Sequence, residues 1–144
     1  MSAGTVTVTP CDAAGTWLVA LHGDHDLASR VRIREQTRLV WPCCRHAIID
    51  LTDVTFIDSG VIAWLLEVER ELEAAGAHTL SVVEGPAGSY PARLFGLLRM
   101  HHVVACYSTR AEALGQTRDR HARISISRPR TQSLRDGLRI NHAT

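Results

Sequence analysis

The feature that most constrains the fold is a short apolar run followed by a helical stripe. The run, His46–Leu51, is short enough to be a central strand buried on both faces. After a predicted loop, Thr52–Asp58, apolar residues recur at helical spacing until Gly76, which is placed to end the helix. These residues are Val61, Trp64, Leu65, Val68 and Leu72. A doubly buried strand needs neighbouring strands and covering helices, so this unit predicts an α/β protein.

The N-terminal part supplies the first of those neighbours. Alternating Thr and Val over Thr5–Thr9 predict a strand, and turn residues at Asp12–Gly15 join it to a second strand, Trp17–Leu21. The segment Leu27–Val40 predicts an exposed helix that ends before Pro42. The chain therefore begins with a hairpin and a helix.

The C-terminal elements continue the alternation. Thr79–Val83 and Val103–Tyr107 predict two strands, with a helix over Pro91–Met100 between them. Thr109 and Glu112 resemble a capping box and predict a last short helix. The predicted order is β-β-α-β-α-β-α-β-α, a sheet with substantial parallel content and helices packed on it.

Charge separates a body from a tail. Residues 1–115 hold nine arginines and thirteen acidic residues, whereas residues 116–144 hold seven arginines and two aspartates. The hydrophobic period ends after Gly115. We therefore expect one domain over residues 1–115 and an Arg-rich, disordered tail over residues 116–144. Because the tail lacks interleaved aromatic residues and a known module, we expect no nucleic-acid partner.

Nothing in the composition indicates export or membrane insertion. Apolar runs such as Val61–Leu66 are far shorter than the ~18 residues that span a bilayer. The first residues show neither the basic start nor the apolar stretch that is typical of a secretory leader. We expect a cytoplasmic protein whose cysteines are small buried apolar residues. The four are Cys11, Cys43, Cys44 and Cys106. They show no paired metal-ligand spacing, so neither a metal nor another cofactor is predicted.

Two polar clusters are candidate sites of chemistry. His22–Asp26 places four metal-ligand types in five residues, but it lies in a predicted turn without a further ligand set, so a solvated turn is favoured. The sequence Asp58-Ser59-Gly60 lacks the Gly-x-Ser-x-Gly elbow of a serine hydrolase. No Gly-rich phosphate loop occurs. We therefore predict a binding protein rather than an enzyme.

The segment Ile48–Gly60, IIDLTDVTFIDSG, resembles the signature of the STAS domain family. That signature is a buried strand, an Asp-Leu step, a Phe-aliphatic-Asp-Ser element and then a helix. Gly23–Ala28 is similar to the family's Gly-Glu-Leu-Asp-Leu-Ala element, and Glu73–Gly76 matches its usual helix exit. The resemblance implies a small mixed β-sheet flanked by helices. It also implies a bacterial anti-sigma-factor antagonist that acts in signal transduction and transcription regulation.

Antagonists of this family are switched by phosphorylation of a serine at the N-terminus of the signature helix, where the helix dipole favours a phosphate. The unphosphorylated form binds the anti-sigma kinase and frees the sigma factor. The family usually has Asp-Ser-Ser-Gly or Asp-Ser-Thr-Gly, and the second hydroxyl residue is the acceptor. Without a gap, Asp58 and Ser59 match the first two positions and Gly60 takes the acceptor place. A one-residue deletion would instead make Ser59 the acceptor, but the register of the downstream helix favours the ungapped alignment.

The resemblance implies a partner-binding surface at two helix N-termini. Its residues are Asp26, Asp58, Ser59, Gly60, Val61 and Trp64. The aspartates and Ser59 also have a structural interpretation as N-caps, and Trp64 as a core residue. The expected partner is an anti-sigma factor or a related ATPase-fold kinase, and a second copy of the chain is a further candidate. The alternative is a STAS scaffold or transport-associated subunit that binds an ATPase without being phosphorylated.

Overall fold

The sheet has five strands whose spatial order is their order along the chain. The computed structural model describes residues 4–12, 14–76 and 79–117. Its strands are β1 (Thr5–Pro10), β2 (Thr16–His25), β3 (His46–Ile57), β4 (Thr79–Val83) and β5 (Ala105–Tyr107). β1 pairs antiparallel with β2, whereas the other neighbouring pairs are parallel. The predicted mixed sheet is confirmed.

Helices follow the strands in the predicted order. They are α1 (Leu27–Thr37), α2 (Ser59–Ala74), α3 (Tyr90–Leu97) and α4, which begins at residue 110. The Thr109 hydroxyl accepts the Glu112 N–H at 3.2 Å, as the capping pattern predicts. Among the described residues, those up to 113 form one compact unit, and those from 114 onward belong to a second. Beyond residue 117, the tail predicted over 116–144 lies outside the described residues.

The core lies between the helices and the sheet. The Ile48 and Ile49 side chains of β3 point to opposite faces and are both fully buried, so the prediction of a doubly buried central strand is confirmed. The predicted stripe of α2 is also buried, with no member more than 2% exposed: Val61, Trp64, Leu65, Val68 and Leu72. These side chains join a single apolar cluster with β3.

Two segments predicted to be irregular are strands. The turn predicted at His22–Asp26 and the loop predicted at Thr52–Asp58 are instead mostly extensions of β2 and β3. The extensions pair with each other in parallel, with two register shifts, until His25 lies opposite Ile57. Gly23, at one shift, has a φ of 81°, which favours glycine. Their backbone groups are satisfied by each other across the ladder, and sequence periodicity does not reveal such pairing.

Three predicted element ends shift inward. α1 ends at Thr37 rather than Val40, α3 ends at Leu97, and β5 begins at Ala105. The end of the α3 segment is set by Arg99, whose left-handed φ of 54° interrupts the helix before a short 3₁₀ turn.

The cysteine prediction is only partly right. Cys44 is fully buried and Cys106 is partly buried, but Cys11 and Cys43 are exposed. Cys11 follows the edge strand β1, and Cys43 lies in a 3₁₀ turn, so neither reaches the space between helices and sheet.

Candidate partner-binding site

β2 and β3 end side by side, and each is followed by an aspartate and a helix. Asp26 connects β2 to α1, and Asp58 connects β3 to α2. The backbone N–H of Asp58 donates to the carbonyl of His25 at 3.1 Å. The two helix N-termini are therefore held next to each other at one edge of the sheet.

Both aspartates are N-caps, as their structural interpretation predicts. A carboxylate oxygen of Asp58 accepts the N–H groups of Gly60 at 2.8 Å and Val61 at 3.2 Å. That of Asp26 accepts the N–H of Ser29 at 3.2 Å. N-terminal N–H groups are the ones that otherwise bind an anion. At the start of α2, the Asp58 carboxylate fills that role.

Gly60 is buried although it lies in the first turn of α2. A Cβ at this position would lie 3.1 Å from Asp58 Oδ1, 3.2 Å from Leu27 Cδ1 and 3.6 Å from Arg30 Cδ. The φ of Gly60 is not positive, so its backbone conformation does not require glycine. What glycine permits is the close approach of α1. The acceptor position implied by the family resemblance is thus an enclosed contact between α1 and α2.

The residues around Gly60 reach solvent. Asp26 and Ser59 are exposed, Asp58 is partly exposed, and Leu27 is 67% exposed. We call Asp26, Leu27, Asp58, Ser59 and Gly60 the cap surface. Leu27 was not predicted as a site residue. Its signal in the sequence is the apolar pair that it forms with Val31, also 65% exposed, one helical turn apart.

Two predicted site residues lie beneath this surface rather than on it. Val61 is fully buried, and Trp64 is 2% exposed, with its ring centroid 6.4 Å from that of Trp41. The structure therefore gives no support to direct partner contact by either side chain. Their contribution is to fix the first turns of α2 against the core.

Ion pairs fasten α1 over α2. Glu67 of α2 accepts from Arg30 at 2.6 Å and from Arg34, both on α1. The hydrogen bond from Arg34, followed by that from Arg30, lowers the pKa of the Glu67 carboxyl below its ordinary value, although partial burial opposes the shift. Arg30 is also one of the side chains that enclose Gly60. These ion pairs thus hold α1 in the position in which it covers Gly60, the residue that aligns with the family's phospho-acceptor.

The His/Asp cluster of β2 is divided among separate partners. The ring of His25 is fully buried, its Nε2 lies 3.1 Å from the carbonyl of His22, and burial lowers its pKa. His22 points instead to Asp53, at 3.3 Å. Within residues 4–12, 14–76 and 79–117, a different group of three brings metal-ligand atoms together, and the sequence did not indicate it. Its members are Glu84, His101 and Cys106.

Comparison with known families decides the classification. Residues 12–113 match the family model of the STAS domain. The chain belongs to the STAS domain family. No curated protein sequence gives a significant match to it.

Solved structures share this STAS fold. An anti-sigma factor antagonist from Mycobacterium paratuberculosis is 24% identical, with a TM-score of 0.69 over 81% of this chain and 95% of the other. The Bacillus cell fate determinant SpoIIAA in its phosphorylated form is 18% identical, with a TM-score of 0.59 over 78% and 99%. An anti-sigma-factor antagonist (STAS) domain protein from Planctomyces limnophilus is 18% identical, with a TM-score of 0.63 over 76% and 93%.

In the described part of the chain, every helix is too short or too polar to cross a bilayer.

Proposed function

We propose that this STAS domain is an anti-sigma-factor antagonist that binds an anti-sigma factor or a related ATPase-fold kinase through the cap surface. Structures with the same fold include an anti-sigma factor antagonist from Mycobacterium paratuberculosis and SpoIIAA in its phosphorylated form. Such a regulator acts by binding in the bacterial cytoplasm, without a catalytic step of its own. Asp26, Asp58 and Ser59 lie at the helix N-termini where the family resemblance implies partner contact.

The observation that carries the proposal is the chemistry around Gly60. The exposed side chain of Leu27, which follows the cap Asp26, lies 3.2 Å from where a Cβ of Gly60 would be, in the first turn of the helix that Asp58 caps. An apolar centre with a charged rim is the usual composition of a specific protein interface. The complementary partner surface has an apolar socket edged by basic side chains.

We further propose that this antagonist is not switched by phosphorylation at the usual acceptor position. Gly60 has no hydroxyl group, and the space that an acceptor side chain would need is bordered by Leu27 and Arg30. In the family the unphosphorylated form binds the kinase, so a chain without the acceptor stays in the binding form.

The same glycine favours a second candidate function. A STAS scaffold or transport-associated subunit also binds an ATPase without needing a phosphate acceptor. The identity of the protein captured by the full chain from its native cell separates the two functions. An anti-sigma kinase supports the antagonist, and an ATPase of a transport assembly supports the alternative.

The site itself is tested by Gly60→Asp in calorimetry with the captured partner. The new Cβ would lie 3.1 Å from Asp58 Oδ1 and 3.2 Å from Leu27 Cδ1, but both side chains reach solvent and can shift, so the domain should remain folded with reduced stability. Affinity should fall by about 2 kcal/mol, roughly thirtyfold, as is typical when a central contact is disturbed.

The matched control is Glu73→Gln, at the far end of the same helix and about 20 Å away along its axis. It should leave the affinity unchanged. Circular dichroism checks that the Gly60→Asp protein is folded. If the folded variant binds as tightly as the control, the partner does not bind at the cap surface.

A further inference from the structure

Three side chains with metal-binding atoms meet beside the edge strand β5. They are the carboxylate of Glu84, the imidazole of His101 and the thiol of Cys106, and their ligand atoms all lie within 4.8 Å of one another. His101 Nε2 lies 3.1 Å from either oxygen of Glu84. Four-coordinate zinc, with bonds of about 2.0–2.3 Å, separates neighbouring ligand atoms by roughly 3.3–3.8 Å. Small side-chain rotations would therefore place all three atoms around one ion.

The fold fixes two of these residues through a strand ladder. Cys106 pairs with Val82 in the β4–β5 register, and Glu84 lies two residues beyond Val82, so alternation puts Glu84 on the same face as Cys106. The backbone N–H of Glu84 donates to the carbonyl of Tyr107 at 2.9 Å. Glu84 is thus held by the sheet although it lies just past the end of β4.

A tight turn supplies the third residue. His101 lies in the 3₁₀ turn Met100–His102, which follows the left-handed Arg99. The Met100 side chain is buried, and its carbonyl accepts the N–H groups of both Val103 and Val104 at 2.9 Å. These contacts fix the turn against the sheet, so His101 approaches Glu84 from a rigid element.

The Glu84 carboxylate has an unmet interaction. Its side chain is only 15% exposed, and its buried Oε2 atom lies 3.1 Å from His101 Nε2 but accepts no well-aligned hydrogen bond. A buried carboxylate oxygen in that state costs free energy unless a proton or a cation satisfies it. The Cys106 thiol has only a 3.5 Å contact to the carbonyl of Val104. Both atoms are therefore available to a cation, and the half-exposed His101 leaves a route for one to enter.

We propose that Glu84, His101 and Cys106 bind a single zinc ion, with solvent completing a tetrahedron. A thiolate, an imidazole and a carboxylate are a ligand set that suits borderline-soft divalent zinc better than magnesium or calcium. Burial and the neighbouring Glu84 raise the pKa of the Cys106 thiol to about 12, so coordination releases its proton to solvent. The ion would tie β5 and its preceding turn to β4. This inference does not depend on the proposed partner.

The test is a titration of the full chain with Co²⁺ as a spectroscopic substitute for zinc. Cys11 and Cys43 are exposed, so the parent protein carries Cys11→Ser and Cys43→Ser, which leaves Cys106 and the fully buried Cys44. We expect one Co²⁺ per chain, a thiolate-to-cobalt charge-transfer band, intense visible bands of four-coordinate cobalt, and displacement by Zn²⁺.

Two histidines in one turn provide a matched pair. His101→Ala should weaken Co²⁺ binding by more than about tenfold, since it removes a ligand, whereas His102→Ala should change it by no more than about twofold. Both side chains are exposed, so both variants should fold. Cys106→Ser should abolish the charge-transfer band. Absence of that band in the parent, its survival in Cys106→Ser, or equal effects of the two histidine variants would overturn the site.

Discussion

Helices α1 and α2 begin in the same way but are built differently. Each follows the end of a parallel strand and is capped by an aspartate, Asp26 or Asp58. α2 buries a continuous apolar stripe that includes Trp64, whereas α1 leaves its apolar pair, Leu27 and Val31, in solvent. The residues that α1 buries are Ser29, Ile33 and Thr37.

The difference suggests that the apolar residues of α2 serve folding and that the exposed apolar residues of α1 serve binding. The stripe of α2 accounts for its packing on the sheet, since burial of apolar area is the main stabilising contribution in folding. α1 buries one large apolar side chain, Ile33, and is also attached by the ion pairs from Arg30 and Arg34 to Glu67. Its exposed apolar residues contribute little to that attachment and remain available to a partner.

The largest expected effect contrasts one side chain from each helix. Trp64→Ala should destabilise the domain by about 3–5 kcal/mol, because it opens a cavity in the core. Leu27→Ser should change the free energy of unfolding by less than about 0.5 kcal/mol, because Leu27 is 67% exposed, and should instead weaken partner binding. Urea denaturation of both variants measures the first difference, and calorimetry of Leu27→Ser measures the second.

Similar losses of stability in Trp64→Ala and Leu27→Ser would contradict the difference proposed between the buried face of α2 and the exposed face of α1. A Leu27→Ser protein with full stability and full affinity would show that the exposed apolar side chain of α1 does not bind the partner.

A smaller effect concerns the pH dependence of stability that arises from His25, the residue that precedes the cap of α1. Burial lowers the pKa of His25 in the folded state, so the folded protein favours the neutral ring. This contribution to stability is complete above the ordinary histidine pKa of about 6.5 and is lost as the pH falls from there towards the lowered value. The free energy of unfolding of the wild-type protein should therefore decline over this range.

The comparison variant is His25→Gln, measured by urea denaturation at a series of pH values. It should lose the part of the decline that begins near pH 6.5, a reference value for unfolded histidine. Equal pH slopes in the two proteins would mean that His25 is not the group responsible.

The elements that could be predicted from the sequence are those whose burial is apolar. The apolar spacing from Val61 to Leu72 predicted both the helix α2 and its buried face. The resemblance at Ile48–Gly60 then implied the topology that the structure and the family match confirm. Polar segments were harder, because the extensions of β2 and β3 are stabilised by pairing with each other, which has no local pattern.

The site was only partly predictable for the same reason. The caps Asp26 and Asp58 follow from local sequence rules. The enclosure of Gly60 by Leu27 depends on contact between two helices more than thirty positions apart in the chain. The meeting of Glu84 with His101 likewise depends on a turn that no residue spacing indicates.

The central claim is that this domain binds its partner without a phosphate switch at Gly60. The most direct measurement incubates the full chain with the captured anti-sigma kinase and Mg-ATP and follows it by intact-mass spectrometry and calorimetry. The kinase is first shown to be active on another antagonist.

We expect no phosphate on residues 58–61 and the same affinity before and after incubation, because Gly60, at the acceptor position, offers no hydroxyl group and Ser59 matches a position that the family does not phosphorylate. Stoichiometric phosphorylation of Ser59, accompanied by release of the kinase, would contradict the account and assign the switch to the exposed serine.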